Sequence, residues 1–264
     1  MEKIVVIKIG GNCIDDEVAL SAFLSDFAAI KFPKILIHGG GKLATQLASQ
    51  LNLETTLIDG RRITDEKMLD VVTMVYAGLI NKKIVAQLQA AECNAVGFCG
   101  ADANLIQAHQ RVNNEINYGF VGDIDKVNAD FLVDLLDKNY TPILAPITHN
   151  KKGILLNTNA DTLASSIAIA LAQKSNKVDF YYCFEKNGLL ANVDDDMSLI
   201  SAVNIQEIEL LKQNQTITKG MIPKVDNISF ALKNGVDKVV LCNAKHIGEI
   251  FEENSILGTT FTIK

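Results

Sequence analysis

What most constrains this chain is the way its short β-branched runs break off on glycine. Ile4–Ile9 runs into Gly10-Gly11, and Lys34–His38 runs into Gly39-Gly40-Gly41. Each run is short and largely apolar, the pattern of a strand buried on both faces, and each is followed by helical spacing, over 15–31 and 42–51. The alternation continues. The pattern predicts one or two long helices over 65–91 with a weak point at Gly78, a strand over 94–99, a turn-rich hairpin region over 105–122, a helix over 128–138 and a strand over 141–145. Two short strands then flank a turn at 150–153. They are followed by a helix over 159–173, a strand over 178–183, helices over 205–213 and 223–234, and strands over 238–242 and 259–263. Strands alternating with helices predict an α/β fold, a mostly parallel sheet with helices on both faces. No linker or internal repeat divides the 264 residues, so the expectation is one unit with two lobes and a cleft. In such sheets ligands gather at the carboxyl ends of strands, where these glycines stand.

Composition narrows the function. Lys and Arg number 25 against 31 Asp and Glu, a net charge of −6, and the only arginines are Arg61, Arg62 and Arg111. An acidic chain with no tryptophan and 6% aromatics lacks the basic footprint and the stacking platform that nucleic acid binding needs. Five cysteines, at 13, 93, 99, 183 and 242, are odd in number and never spaced CxxC. They argue for reduced thiols in a cytoplasmic protein rather than a disulfide framework or a zinc ribbon. The apolar run at 4–7 is shorter than the roughly 7–15 residues of a signal core, and 163–172 falls short of the roughly 18 of a membrane span, so no membrane partner is expected. His109, His149 and His246 have no partner at ligand spacing, and Asp194-Asp195-Asp196 lacks the glycine and glutamate of a calcium loop, so no metal ligands are assigned.

A few residues stand out against this background. The two glycine runs are either tight strand-to-helix turns or anion cradles, since glycine lets backbone N–H groups approach a ligand and a following helix adds a favourable dipole. Neither run has P-loop or GxGxxG spacing. Lys8 lies inside an apolar strand on the face of Ile4 and Val6, where an ammonium needs a partner or a route to the sheet edge. Lys224 follows Pro223 in the first turn of a helix, where the macrodipole disfavours a cation. Asp161 opens a helix behind Asn157 and Asn159, which are caps or donors to a polar ligand. Arg61 and Arg62 suit an acidic ligand, or pair with Asp65 and Glu66 at a helix start.

Taken in order, these segments resemble the amino acid kinase family, in its branch acting on acylglutamate. The resemblance rests on Lys8-Ile9-Gly10-Gly11, His38-Gly39-Gly40-Gly41, Gly60-Arg61-Arg62-Ile63-Thr64, Tyr118-Gly119-Phe120-Val121-Gly122 with Val127-Asn128, Asn157-Thr158-Asn159-Ala160-Asp161, and Gly220-Met221-Ile222-Pro223-Lys224. It implies a three-layer αβα domain over 1–264, with an acyl amino acid in an N-terminal lobe of about 1–174 and ATP in a C-terminal lobe of about 175–264. The implied reaction moves the γ-phosphoryl of ATP, with Mg²⁺, onto the side-chain carboxylate of N-acetyl-L-glutamate in arginine biosynthesis. Lys8 and Lys224 would stabilise the transferring phosphoryl group, and Asp161 would hold them. Gly40, Gly41, Arg62 and Asn157 would bind the acyl amino acid, and Gly10, Gly11, Glu185, Gly188 and Thr218 the nucleotide.

Three departures qualify the resemblance. Cys183-Phe184-Glu185-Lys186-Asn187-Gly188 replaces the family's Thr-Asp-Val-type segment, and Lys219 stands where many relatives have glycine. Arg61 stands where relatives usually carry an apolar residue, which would suit a more acidic acyl group such as N-succinyl. Carbamate, glutamate 5-, uridylate and aspartate kinases share the implied fold, and a nucleotide- or metabolite-binding regulator without turnover is the reading from another class. The sequence runs out near its last predicted strand, so no appended regulatory domain is expected.

Arginine-inhibited members of the family carry an extra N-terminal helix that joins dimers into hexamers. Here Met1-Glu2-Lys3 leads straight into the first strand, less than one helical turn of about 3.6 residues. Met68, Val71, Val72 and Val75 recur at helical spacing and form either a dimer face or ordinary core. The expectation is a homodimer insensitive to arginine. Light scattering should give twice the chain mass, and activity should hold as arginine rises; a hexamer or millimolar inhibition would overturn it.

Overall fold

In the computed structural model, which describes residues 3–58, 60–174, 177–192, 194–195, 197–217, 221–252, 255 and 257–263, the apolar runs become neighbouring strands. The strands are β1 (Ile4–Ile9), β2 (Lys34–His38), β3 (Leu57–Ile58), β4 (Arg61–Arg62), β5 (Ala95–Phe98), β6 (Ile106–Gln110), β7 (Gly122–Val127), β8 (Thr141–Leu144), β9 (Ile147–His149), β10 (Leu155–Asn157), β11 (Val178–Phe184), β12 (Ala202–Asn204), β13 (Lys238–Asn243) and β14 (Thr259–Thr262). Eight form one sheet in the order β12-β14-β13-β11-β1-β2-β8-β5. Its pairs are parallel except β13 with β14.

Alternation along β1 divides the core. Val5, Ile7 and Ile9 join the apolar cluster under α2 (Glu17–Ala29), α3 (Gly41–Gln50), α4 (Glu66–Val72) and α5 (Asn81–Ala90). Ile4 and Val6 join Phe180 and Tyr182 in the cluster under α6 (Ala129–Asp137), α7 (Ala160–Ala172), α8 (Ile208–Gln213) and α9 (Ile222–Lys233). The sheet is therefore covered on both faces, as its apolar strands predict. Short helices α1 (Gly11–Ile14) and α10 (Ile247–Ile250) complete the face of α2. At the amino ends of the strands Asp179 is wholly buried and pairs with Lys3 at 2.6 Å and Lys238 at 3.6 Å.

Several boundaries differ from expectation for local reasons. The helix expected from residue 15 begins at Glu17, because the Asp16 carboxylate caps it by accepting from the Val18 and Ala19 amides, 3.0 Å each. The 65–91 segment does not break at Gly78. Thr73–Ile80 joins α4 to α5 through wider π turns. Met68, Val71, Val72 and Val75 are core residues of the chain itself, so they are no free dimer face; the exposed large apolar residues of that segment are Met74 and Leu79. The hairpin of 105–122 extends further, since β6 pairs with β7 in a second sheet ordered β10-β9-β6-β7. Strand β12 and the two-residue ribbon β3-β4 carry too few apolar residues to announce themselves in sequence.

Gly40 shows how tightly the parts are fitted. Its φ of +148° suits glycine, and a Cβ there would run into Ile80 Cδ1 and the Tyr76 ring. Gly40→Ala should lower the denaturation midpoint by the equivalent of about 1–3 kcal/mol, the usual cost of overpacking and strain. A midpoint unchanged by chemical denaturation would show that Ile80 and Tyr76 yield freely.

Candidate active site

Lys8 sits near the carboxyl end of β1 on the side of Ile4 and Val6, only 7% exposed. Its Nζ lies 2.5 Å from Oδ1 of Asp161, which answers the demand that a buried ammonium be paired. Asp161 is placed by its own helix. The Asn159 side chain caps α7, accepting from the Asp161 amide at 2.9 Å and the Thr162 amide at 3.1 Å, so the carboxylate stands in the first turn at the positive end of the helix. Lys224 arrives from α9, where it occupies the first turn.

Between these groups lies a residue that sequence reasoning missed. Tyr182 is fully buried, and its ring centroid is 4.9 Å from Lys8 Nζ and 5.8 Å from Lys224 Nζ. Register alone puts it there, since β1 and β11 are parallel neighbours with Lys8 opposite Tyr182. The available signal was the aromatic pair Phe180 and Tyr182, two residues apart and hence on one face of β11. Burial opposes ionisation of Asp161, but the adjacent Lys8 ammonium, with the charge of Lys224, outweighs it, and the carboxyl titrates below its ordinary range. The same burial, with the Asp161 charge added, pushes the Tyr182 hydroxyl well above its ordinary value, so it stays protonated.

Two concave regions lie nearby. The first is lined by Gly39, Gly40, Gly41, Arg61, Arg62, Tyr76 and the segment from Asn157 to Ala160, among others. Arg62 does not pair with Asp65, which instead caps α4 by accepting from the Met68 amide at 2.8 Å. Its guanidinium donates to Gly41 O at 2.8 Å and Thr45 Oγ1 at 2.9 Å through Nη2, and to Thr55 Oγ1 at 3.3 Å through Nη1. Buried Nε has no acceptor. Asn157 is placed by donating from Nδ2 to Thr64 Oγ1 at 3.0 Å, and Thr64 Oγ1 donates to Arg62 O at 2.7 Å. Arg61 lines the same region and forms no ion pair with any described residue.

The second region is lined by Lys8, Gly10, Gly11, Asn12, Cys13, Phe184, Glu185, Lys224, Asn243 and Lys245, among others. Lys245 is a third cation of this cleft that its loop sequence did not announce. Gly188 does not line the cleft. Its φ is +155°, and an added Cβ would meet Thr259 Oγ1 at 2.6 Å, so the residue serves close packing of the 185–188 turn on β14. Thr218, with Lys219 and Gly220, lies outside the described residues. The Gly39 amide donates to Ile9 O at 3.3 Å, which ties the glycine turn of one region to that of the other. All five cysteines are free; burial lifts the Cys13 thiol to about 12, and Cys183 and Cys242 have their sulfurs 3.6 Å apart. Among the described residues no helix is long and apolar enough to cross a membrane.

Comparison with known proteins identifies the family and agrees with the fold. Residues 3–243 match the model of the amino acid kinase family. An acetylglutamate kinase of Cytophaga hutchinsonii is 50% identical over 260 residues, covering 98% of both chains. One of Parabacteroides distasonis is 48% identical over 247 residues, covering 94% of this chain and 96% of its own. Among solved structures, a Streptococcus mutans UA159 protein superposes with a TM-score of 0.81 at 24% identity, covering 100% of both chains, which speaks for the fold.

The depressed Asp161 pKa carries a sign. The ionised carboxylate stabilises the folded chain above the ordinary value of 3.8, and that contribution is lost as pH falls through the lower folded value. The stability gap between the protein and Asp161→Asn, measured by chemical denaturation from pH 6 downward, should be widest near pH 6 and narrow below 3.8. A gap independent of pH would mean that the carboxylate charge is not what the site holds.

Proposed function

The chain belongs to the amino acid kinase family, and we propose that it transfers the γ-phosphoryl group of ATP to the side-chain carboxylate of N-acetyl-L-glutamate, a step of arginine biosynthesis. The observation that carries this reading is the ion pair of Lys8 with Asp161, with Lys224 beside the same Tyr182 ring, next to two concave regions, one lined by arginines and the other by lysines. The near full-length relatives named acetylglutamate kinase support the same substrate.

The chemistry needs little beyond positioning and charge. A glutamate side-chain carboxylate has a reference pKa of about 4.3, so it is already a nucleophile at neutral pH and no general base is required. Catalysis then rests on alignment and on neutralising charge as the phosphoryl group moves. Lys8 and Lys224 supply positive charge from different elements; Asp161 pairs with Lys8, and the Tyr182 ring lies beside both ammonium groups. Arg62 meets the α-carboxylate, with its guanidinium already oriented by Gly41, Thr45 and Thr55, and Asn157 and the Gly40 and Gly41 amides complete the acyl amino acid site. Gly10, Gly11, Glu185 and Lys245 border the nucleotide site. Mg²⁺ would accompany the nucleotide and neutralise charge on its phosphates.

Arg61 favours a second substrate of the same class. It stands beside Arg62 in the acyl amino acid region and forms no ion pair with any described residue, so an acyl group with its own carboxylate, such as N-succinyl, finds a partner there. We assign the protein to the cytoplasm, in keeping with five free thiols, and propose a homodimer formed over the exposed Met74 and Leu79 of the segment joining α4 to α5.

ADP release with a panel of acyl amino acids tests the reading, and no turnover with any of them would refute it. Lys8→Ala and Lys224→Ala should each lower kcat about 10²-fold or more while changing substrate KM less. Near-normal kcat in both would place the phosphoryl site elsewhere. Arg62→Lys should raise KM for the acyl amino acid and leave that for ATP unchanged, because an ammonium does not reproduce the guanidinium fork. Arg61→Leu should shift preference from N-succinyl towards N-acetyl; an unchanged ratio would remove Arg61 from acyl recognition.

A further inference from the structure

His38 ends β2 immediately before the glycine turn of the acyl amino acid region, and its imidazole is wholly buried. It lines neither concave region. Both ring nitrogens are nonetheless engaged. Nδ1 lies 2.9 Å from the Gly39 carbonyl oxygen and Nε2 lies 3.1 Å from Asn81 Nδ2.

The surroundings dictate which nitrogen carries the proton. Asn81 can face only one way, since Lys82 Nζ donates to its Oδ1 at 3.0 Å while its Nδ2 donates to the Ile143 carbonyl at 3.0 Å. The amide therefore presents a donor to Nε2, which must accept. A carbonyl oxygen only accepts, so Nδ1 must donate to Gly39. Burial draws the imidazole pKa down to about 4, so the ring is neutral at physiological pH, as this pattern requires. Lys82 Nζ also donates to Gly97 O at 3.1 Å, so the chain of bonds runs from the Gly39 carbonyl through β2 to β8 and β5.

We propose that His38 is a positioning residue: by gripping the Gly39 carbonyl from its Nδ1–H, it aims the Gly40 amide into the acyl amino acid site. The peptide between Gly39 and Gly40 is planar and trans, so its C=O and N–H point in opposite directions. Drawing the carbonyl towards the imidazole turns the Gly40 N–H away from it. No described backbone acceptor takes that N–H, and Gly40 lines the proposed acyl amino acid region. Gly40 can lend its amide in this way only if the peptide plane is held, because glycine by itself does not hold it. Asn81 then has a purpose at the junction of the π turns with α5: it selects the His38 tautomer from across the core.

This inference rests on the kinase reading, and its test separates the two. Long-range ¹⁵N–¹H correlation spectra of the intact protein at pH 7 read the tautomer directly and do not depend on turnover. His38 should be a neutral Nδ1–H imidazole; an Nε2–H tautomer or an imidazolium would overturn the proposal whatever the enzyme does. The kinetic arm uses amides that mimic one ring nitrogen each. His38→Asn keeps a donor near Nδ1 and should retain kcat within about three-fold. His38→Gln moves its donor towards Asn81 and should lower kcat about 10- to 100-fold, with KM for ATP unchanged within about two-fold, as expected when one preorganised donor is mis-aimed. Equal kcat in the two variants, both folded by thermal unfolding, would also overturn it. An inactive parent protein would refute the kinase reading and leave the spectra to decide on His38.

Discussion

The ion pair between Lys8 and Asp161 governs the centre of the molecule. A buried pair of this kind is poor value as a stabilising device: desolvating both ions offsets most of their attraction, and an apolar pair of similar volume often does as well. Losing one partner is different, since it strands a charge inside the sheet at a cost of about 3–5 kcal/mol. The chain therefore has to deliver both ends together, one from the strand position two residues before the glycines and one from the first turn of a helix that begins about 150 residues later. Much of the local architecture serves that meeting. Asn159 caps α7 so that Asp161 falls in its first turn, and β11 sets Tyr182 against Lys8.

The neighbouring sites follow from parallel strands. All of the central pairs, β13-β11, β11-β1, β1-β2 and β2-β8, run the same way, so their carboxyl ends open on one edge. Helix starts cluster on that edge as well, because each crossover begins there. Backbone N–H groups and positive helix ends thus converge on one place, which suits phosphate and carboxylate. Against that field Lys224, a cation in a first turn, is locally unfavourable. The negative charge of Asp161 nearby and the π face of Tyr182 compensate it.

How far all this was legible depends on the range of the interaction that decides each part. The strands that run into glycine and the helices between them are written in periods of about two and 3.6 residues, and they gave the layered fold. Lys8, Asp161 and Lys224 stood out because each breaks or exploits a local rule: an ammonium in an apolar strand, a carboxylate at a helix start, a cation where the dipole opposes it. Tyr182 breaks no local rule, since an aromatic residue in a strand is ordinary, and only the pairing of β11 with β1 shows what it touches. Lys245 and His38 were hidden for the same reason. Arg62 was noticed with two readings open, an acidic ligand or pairing with Asp65 nearby in sequence; its guanidinium instead bonds Gly41 and Thr45 of α3, which sequence distance concealed. The apolar row from Met68 to Val75 reads alike whether it faces a sheet or a second chain, and only the packed core decides between them.

A lysine is a weak instrument for placing charge, since its flexible four-carbon stem spreads the ammonium over many positions. A site that relies on lysines must therefore restrain them by other means, or the alignment that phosphoryl transfer depends on is lost to side-chain entropy. Here the restraint is shared. Lys8 is restrained along its stem by the sheet and at its tip by Asp161, while the ring of Tyr182 lies beside both ammonium groups. Tyr182 stays neutral because its burial and the Asp161 charge both oppose ionisation, so it adds shape and a π face and no competing negative charge. The carboxylate is thus left as the counter-charge between the two lysines, and its low pKa keeps it ionised wherever the acceptor carboxylate is ionised too. On the proposed reading, substrate and site would then be in matching protonation states over the same range of pH, as a reaction without a general base requires.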